Sequence, residues 1–198
     1  MAHNIYVVMG KSASGKDSIY RELVRDRDLG LREIVSYTTR PIRAGEKEGV
    51  EYHFVTEKEL ETLQNEGKVI EHRAYNTVHG IWHYFTVEDA QIDLEHHDYI
   101  VIGTLESYVQ IVKYYGEDIV VPVYVEVENG ERLARALHRE RGQKEPKYGE
   151  LCRRFLADEE DFSEEKITEA GIQKRFENID FTSCIREIKA YMQGKSSM

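Results

Sequence analysis

The sequence is short of three things, and each shortage closes off a class of protein. Cysteine occurs only twice, at Cys152 and Cys184, too few for a disulfide framework in a chain of this size. No stretch approaches the ~18–20 consecutive apolar residues that a membrane-spanning helix needs. Basic residues are outnumbered, 27 Lys and Arg against 37 Asp and Glu, leaving a formal charge of −10. A chain this acidic does not bind nucleic acid or anionic membrane through its overall charge, although local basic patches can still exist. The first residues, Met1-Ala2-His3-Asn4, carry no basic leader, long apolar region or small-residue cleavage site. The expectation is a reduced, cytoplasmic protein with neither a nucleic-acid nor a membrane partner. Repeats and low-complexity tracts are absent as well.

What is present argues for a folded α/β domain. The chain has 198 residues, 40% of them hydrophobic, with 13 Tyr and 6 Phe, enough to bury a sizeable core in a single domain. Short β-branched runs predict buried strands at Ile5–Met9, Ile34–Ser36, Tyr99–Ile102, Val121–Val127 and Phe176–Ile179. Between them, helical spacing predicts helices after Gly15 and over Glu57–Asn65, Leu105–Tyr115, Asn129–Arg139, Glu150–Phe162 and Thr182–Met192. A tail from Gly194 is expected to fray. Strands alternating with helices imply a mainly parallel sheet. From Tyr37 to about Glu88 the alternation breaks into a polar, aromatic, turn-rich block. It has expected strands at Glu51–Val55, Val69–His72 and Ile81–Phe85 and reads as an insertion.

The first motif is Gly10-Lys11-Ser12-Ala13-Ser14-Gly15-Lys16-Asp17, between the first strand and the first helix. The glycines allow a tight loop whose backbone N–H groups turn inward, and the helix N-terminus adds partial positive charge for an anion. Lys16 supplies a mobile cation for the outer phosphates of a nucleoside triphosphate, and the candidate binding set runs from Gly10 to Ser18. The residue after the lysine is usually Ser or Thr, whose hydroxyl ligates Mg²⁺; here it is Asp17, a harder oxygen ligand. Ser18, one residue on, points about 100° away.

The second motif lies at the start of the insertion: Ser36-x-Thr38-Thr39-Arg40-x-x-Arg43-x-Gly45-Glu46, then Gly49, Tyr52 and Phe54. Two planar guanidinium forks three residues apart suit bidentate phosphate binding, with Tyr52 adding a donor. These residues closely resemble the pattern of the guanylate kinase family. The resemblance runs from Ile5 to about Ile188 and is strongest through Glu71. It implies a P-loop core (1–36, 89–128, 172–198), an inserted monophosphate-binding part (37–88) and a lid region (129–171). It also implies MgATP and GMP as substrates. Carried over position by position, Arg40, Arg43 and Tyr52 would bind the GMP phosphate, while Ser36 and Glu71 would read guanine. A carboxylate can accept from guanine N1–H and N2–H₂, donors that adenine lacks there; a solvated strand glutamate is the plain alternative. Tyr84 and Thr86, in His83-Tyr84-Phe85-Thr86, take the places of a second phosphate tyrosine and its neighbour.

The sequence departs from that family after the insertion. The Asp-x-Asp pattern expected there is replaced by Ile102 and Thr104. Together with Asp17 this suggests an exchange in which Asp17 supplies the Mg²⁺-organising charge and Thr104 a neutral hydrogen bond to the base. The Gly-Lys-Asp-Ser P-loop also resembles that of ribose 1,5-bisphosphokinases, which lack the arginine-rich acceptor pattern. Non-catalytic guanylate kinase-like binding modules share the fold but typically erode the P-loop. Residues 131–154 carry eight Lys and Arg against four acids. Arg139 and Arg154 are the lid arginines expected to stabilise transferred charge, with Arg135/Arg139 and Arg141-Gly142 giving two registers. Residues 157–170, with seven acids, read as a solvated face. His72, His79 and His83 read as surface histidines rather than as a zinc site, which needs about four convergent ligands.

Overall fold

The computed structural model describes residues 3–77 and 80–196. Its centre is β1 (Ile5–Met9), every residue of which is buried, as a continuous apolar run in a parallel sheet requires. It is flanked by β7 (Tyr99–Ile102) and β8 (Val120–Glu126). The edges are β2 (Arg32–Glu33) beside β7 and β9 (Arg175–Glu177) beside β8. All four pairings are parallel. Alternate β1 side chains feed opposite layers. Tyr6 and Val8 pack with Ile19 and Leu23 of α1 (Lys16–Arg25) and with Ile185, Ile188 and Met192 of α7 (Phe181–Ser196). Ile5, Val7 and Met9 pack with Leu105, Tyr108 and Ile111 of α3 (Leu105–Tyr115) and Ile167 of α6 (Glu164–Glu169). The first helix is amphipathic for an elementary reason: Ile19 and Leu23 stand four apart on one face.

The insertion forms its own four-stranded sheet. Its order is β4 (His53–Phe54), β3 (Tyr37–Thr38), β6 (Gly80–Val87) and β5 (Val69–Thr77). Behind it lies α2 (Glu57–Asn65), whose start is set by a capping box between Thr56 and Glu59. Leu60 of α2 packs on Phe85 and Val87. The strand expected at Ile34–Ser36 does not form, because that stretch is where the chain changes sheets. Ile34 N still donates to Ile100 O in the core, whereas Ser36 O already accepts from His53 N in the insertion.

The remaining elements are α4 (Asn129–Arg141) and α5 (Tyr148–Asp161), packed against each other. Two expectations for the C-terminal third need correction. The acidic stretch 157–170 is not simply a solvated face: Ser163 caps α6, and Ile167 is buried in the core. The last helix continues through residue 196 instead of fraying from Gly194. No helix among the described residues is long and apolar enough to cross a membrane.

Candidate active site

The P-loop leaves the C-terminal end of β1, where the chain's connections run to opposite sides, from β1 toward β2 and from β7 toward β8, the usual place for a ligand in an open parallel sheet. Gly10 is required by close approach, since a Cβ there would lie 2.3 Å from the carbonyl oxygen of Val125. Gly15 is required twice over: its φ is +88°, and a Cβ there would lie 2.3 Å from Asn178 Nδ2. Ala13 also has positive φ, 64°, an uncommon conformation for a residue with a side chain. Inside the loop Ser14 is fully buried, and its Oγ has no hydrogen-bond partner among the described residues. Lys16 opens α1 with its ammonium 3.4 Å from the Asp17 carboxylate, which is 68% exposed. Ser18 is exposed, and its N–H is used by Gly15 O.

A set of side chains from outside the motif braces this loop. Arg132 of α4, 1% exposed, donates to Ser12 O at 3.3 Å and pairs with Asp158 at 3.0 Å and Glu159 at 2.5 Å, both on α5. Asp158 in turn accepts the Ser12 N–H at 2.8 Å, and Glu159 accepts from Lys11 Nζ at 2.9 Å. The Arg132 guanidinium also lies over the Phe155 ring, 4.1 Å from its centroid. From the other side Asn178 Nδ2 donates to Ser14 O at 2.8 Å, while Arg135 donates to Asn178 O at 3.0 Å. Asp158 and Glu159 thus face the P-loop, not solvent alone. Arg139 is exposed, and Arg154 pairs with Glu150 at 2.7 Å; among the described residues neither has a hydrogen bond or ion pair to the loop. Arg153 and Arg154 together hold the Glu150 carboxyl down to about 2.

In the insertion one face of the sheet collects the second group. Cross-strand register places Thr38 beside Tyr84, Tyr84 beside Arg73, and Thr86 beside Glu71, and paired residues share a face. Arg40 is 3% exposed and forked onto Glu46 at 2.7 and 2.6 Å. Its guanidinium stands over Tyr52 and Phe54, with centroids at 5.1 and 5.3 Å. The Arg40 fork, helped by the Arg43 N–H, lowers the Glu46 carboxyl to about 2. Arg43 is exposed, 5.9 Å from the Trp82 ring centroid, and has no ion pair among the described residues. Tyr52 and Tyr84 meet edge-on at 5.6 Å, and burial raises the Tyr52 hydroxyl pKa.

Glu71 is not a solvated strand glutamate. It is 2% exposed, accepts from Thr86 Oγ1 at 2.9 Å, and is gripped by Arg73 through Nε at 2.9 Å and Nη2 at 3.2 Å. Ser36 Oγ stands 3.5 Å from Thr86 Oγ1. Thr104, in contrast, is the N-cap of α3, its hydroxyl accepting from Ser107 N at 3.2 Å. On the opposite face of the hairpin His72 and His83 stack, with Nε2 and Nδ1 2.7 Å apart, and neither is fully exposed. Burial first and His83 second lower the pKa of His72. His79 lies outside the described residues, among which no group of three or more possible metal ligands occurs. Mg²⁺ commonly takes only one or two protein carboxylates together with phosphate oxygens and water. Exposed Asp17, beside Lys16 at the P-loop, fits that donor set.

A P-loop on the central strand of a parallel sheet, with a separate mixed sheet inserted between its second and third strands, defines a P-loop NTPase fold. The guanylate kinase family model matches residues 2–165, and the chain belongs to that family. Stretches of 79 and 65 residues are 43% and 46% identical to guanylate kinases of Legionella pneumophila (strain Paris) and Schizosaccharomyces pombe (strain 972 / ATCC 24843). They cover 39% and 33% of this chain and 37% and 32% of those proteins. The chain thus spans about a third of the length of the curated relatives it matches. Over the fold as a whole it is similar to the crystal structure of guanylate kinase from Anaplasma phagocytophilum. The TM-score is 0.65 at 20% identity, covering 98% of this chain and 86% of that one.

Arg73, Arg132, Asp158, Glu159 and Asn178 are site residues that sequence reasoning passed over. Arg73 had a readable signal, because it follows Glu71 by two on one strand and therefore shares its face. The others are joined only by tertiary packing.

Proposed function

We propose that the chain transfers the γ-phosphoryl group of ATP to GMP, giving ADP and GDP. One observation carries this reading. A strand-seated P-loop occurs with a second sheet whose one face gathers Arg40, Tyr52 and Tyr84 and whose adjoining loop holds the exposed Arg43. A donor phosphate site and an acceptor phosphate site are what a nucleoside-monophosphate kinase needs.

In this reading the P-loop N–H groups and Lys16 hold the donor phosphates. Arg43, Tyr52 and Tyr84 hold the acceptor phosphate, and Arg40, locked by Glu46, sets the shape of that site. An oxygen of the acceptor phosphate attacks the γ-phosphorus as the bond to the β–γ bridging oxygen breaks, and ADP leaves with that electron pair. Bound Mg²⁺ would neutralise charge on the β- and γ-phosphates, with Asp17 the residue assigned to hold it. The core is 1–36, 89–128 and 172–198, the acceptor part 37–88 and the lid region 129–171. Arg132 anchors the base of the lid, so closure would carry only its outer end, with Arg139 and Arg154, toward the phosphates and exclude water.

A coupled assay of ADP release with ATP and GMP, dGMP or AMP tests the reading. Release with GMP and dGMP is the expected result. No release with any acceptor would overturn it.

A further inference from the structure

Part of the acceptor wall in that reading stands on β5, the outer strand of the inserted sheet. An edge strand carries main-chain groups with no ladder partner. The register of β5 against β6 also shifts between Val69 and Glu71, a break in the ladder just where Glu71 enters it. Both weaknesses are met from the core. Gln110 of α3 accepts from His72 N at 3.0 Å through Oε1 and donates from Nε2 to His72 O at 3.3 Å. Leu105, Tyr108 and Ile111 seat α3 against β1, and β1 carries the P-loop.

Peptide groups are planar. The His72 N–H shares a plane with the Glu71 Cα, and the His72 C=O shares one with the Arg73 Cα. One side-chain amide therefore fixes both planes, and with them two residues whose side chains project to the other face of the strand. Glu71 accepts from Thr86 Oγ1 and Arg73 Nε. Arg73 stands opposite Tyr84, which meets Tyr52 edge-on. Resting on the kinase reading, we propose that Gln110 is a positioning residue of the acceptor site. It acts through the His72 main chain and touches neither substrate. It holds the Glu71–Arg73 stretch in register with the body that carries the P-loop, so that binding need not order that strand.

The test uses Q110M, which keeps the length of the side chain and removes both hydrogen bonds, and Q110A, which removes the packing as well. Amide hydrogen exchange read by NMR probes the bracket without substrate. In Q110M the His72 amide should exchange about tenfold faster while the β1 amides stay unchanged. Calorimetric titrations with GMP and with ATP, and ADP release in parallel, probe the consequence. GMP should bind both variants about 5–10-fold more weakly, the low end of what two neutral hydrogen bonds are worth, and ATP binding should not change. A merely structural role would weaken both ligands together. His72 exchange unaltered in both variants, GMP affinity unaltered in both, or equal losses for GMP and ATP would overturn the proposal. The expected shifts in GMP binding with no ADP release by the wild type would overturn the kinase reading alone. ADP release by the wild type with GMP affinity unaltered in the variants would overturn this inference alone, and a wild type that binds no GMP would overturn both.

Discussion

Arg132 and Asp158 meet at 3.0 Å beneath the P-loop, and the Asp158 oxygen that takes the Arg132 guanidinium also takes the Ser12 N–H at 2.8 Å. The first helix of the basic segment and the second are thereby fastened to the P-loop through buried Arg132 and its two carboxylate partners, Asp158 and Glu159. The α4–α5 pair and the P-loop share a joint.

Breaking that joint should destabilise the chain. Arg132 is 1% exposed, and removing one partner of a buried pair leaves the other charge uncompensated, at about 3–5 kcal/mol. R132A should lose that much in urea unfolding. Arg139, on the exposed side of the same helix, should change stability by no more than about 0.5 kcal/mol when made alanine. Equal losses would show that Arg132 carries no special load.

The Arg40–Glu46 pair should appear in the acid limb of the stability profile. Arg40 lowers the Glu46 carboxyl from its ordinary value of 4.5 to about 2. A depressed folded pKa means that the contribution is complete above about pH 4.5 and is lost as pH falls through about 2. E46Q should therefore be less stable than wild type at pH 7, with the gap closing toward pH 2. Urea midpoints measured across that range check it; a gap independent of pH would refute the assignment.

Arg40 and Arg43 should behave differently although they are three residues apart. Arg43 is exposed and without an ion pair among the described residues, so R43A should leave the thermal midpoint nearly unchanged. It should weaken GMP binding by about 10–100-fold, the loss of a charged hydrogen bond. R40A should lose stability as well as binding, because it strands Glu46 and uncovers Tyr52 and Phe54.

Substitutions at Lys16 and Asp17 should affect the chemical step and leave acceptor binding intact. K16M should lower ADP release by about 100-fold or more, the scale of a lost charge-stabilising donor, while leaving GMP binding intact. D17S should raise the Mg²⁺ concentration needed for half-maximal release. An unchanged Mg²⁺ profile would remove Asp17 from the metal role.

Several elements were legible because their causes are local. Ile5–Met9, Glu57–Asn65, Tyr99–Ile102 and Leu105–Tyr115 match their expected bounds residue for residue, since apolar runs, helical spacing and caps act within a few residues. The short helix Glu164–Glu169 escaped notice because its one buried side chain, Ile167, sits among acids. The stretch Ile34–Ser36 misled for the opposite reason: its β-branched residues do favour a strand, but its two ends answer to different sheets.

By itself the sequence determined the phosphate loop, the arginine-rich acceptor motif and the alternation that makes a parallel sheet. Each of these is written in spacing along the chain. Only the tertiary structure decided which charges are free. It buried Arg132 against Asp158, locked Arg40 onto Glu46 and laid Arg73 over Glu71. It left Arg43 exposed, and among the described residues it gave Arg139 and Arg154 no hydrogen bond or ion pair to the loop. A charged side chain's role depends on what else reaches it after folding, because desolvation and a neighbouring opposite charge act over a few ångströms of space and not of sequence.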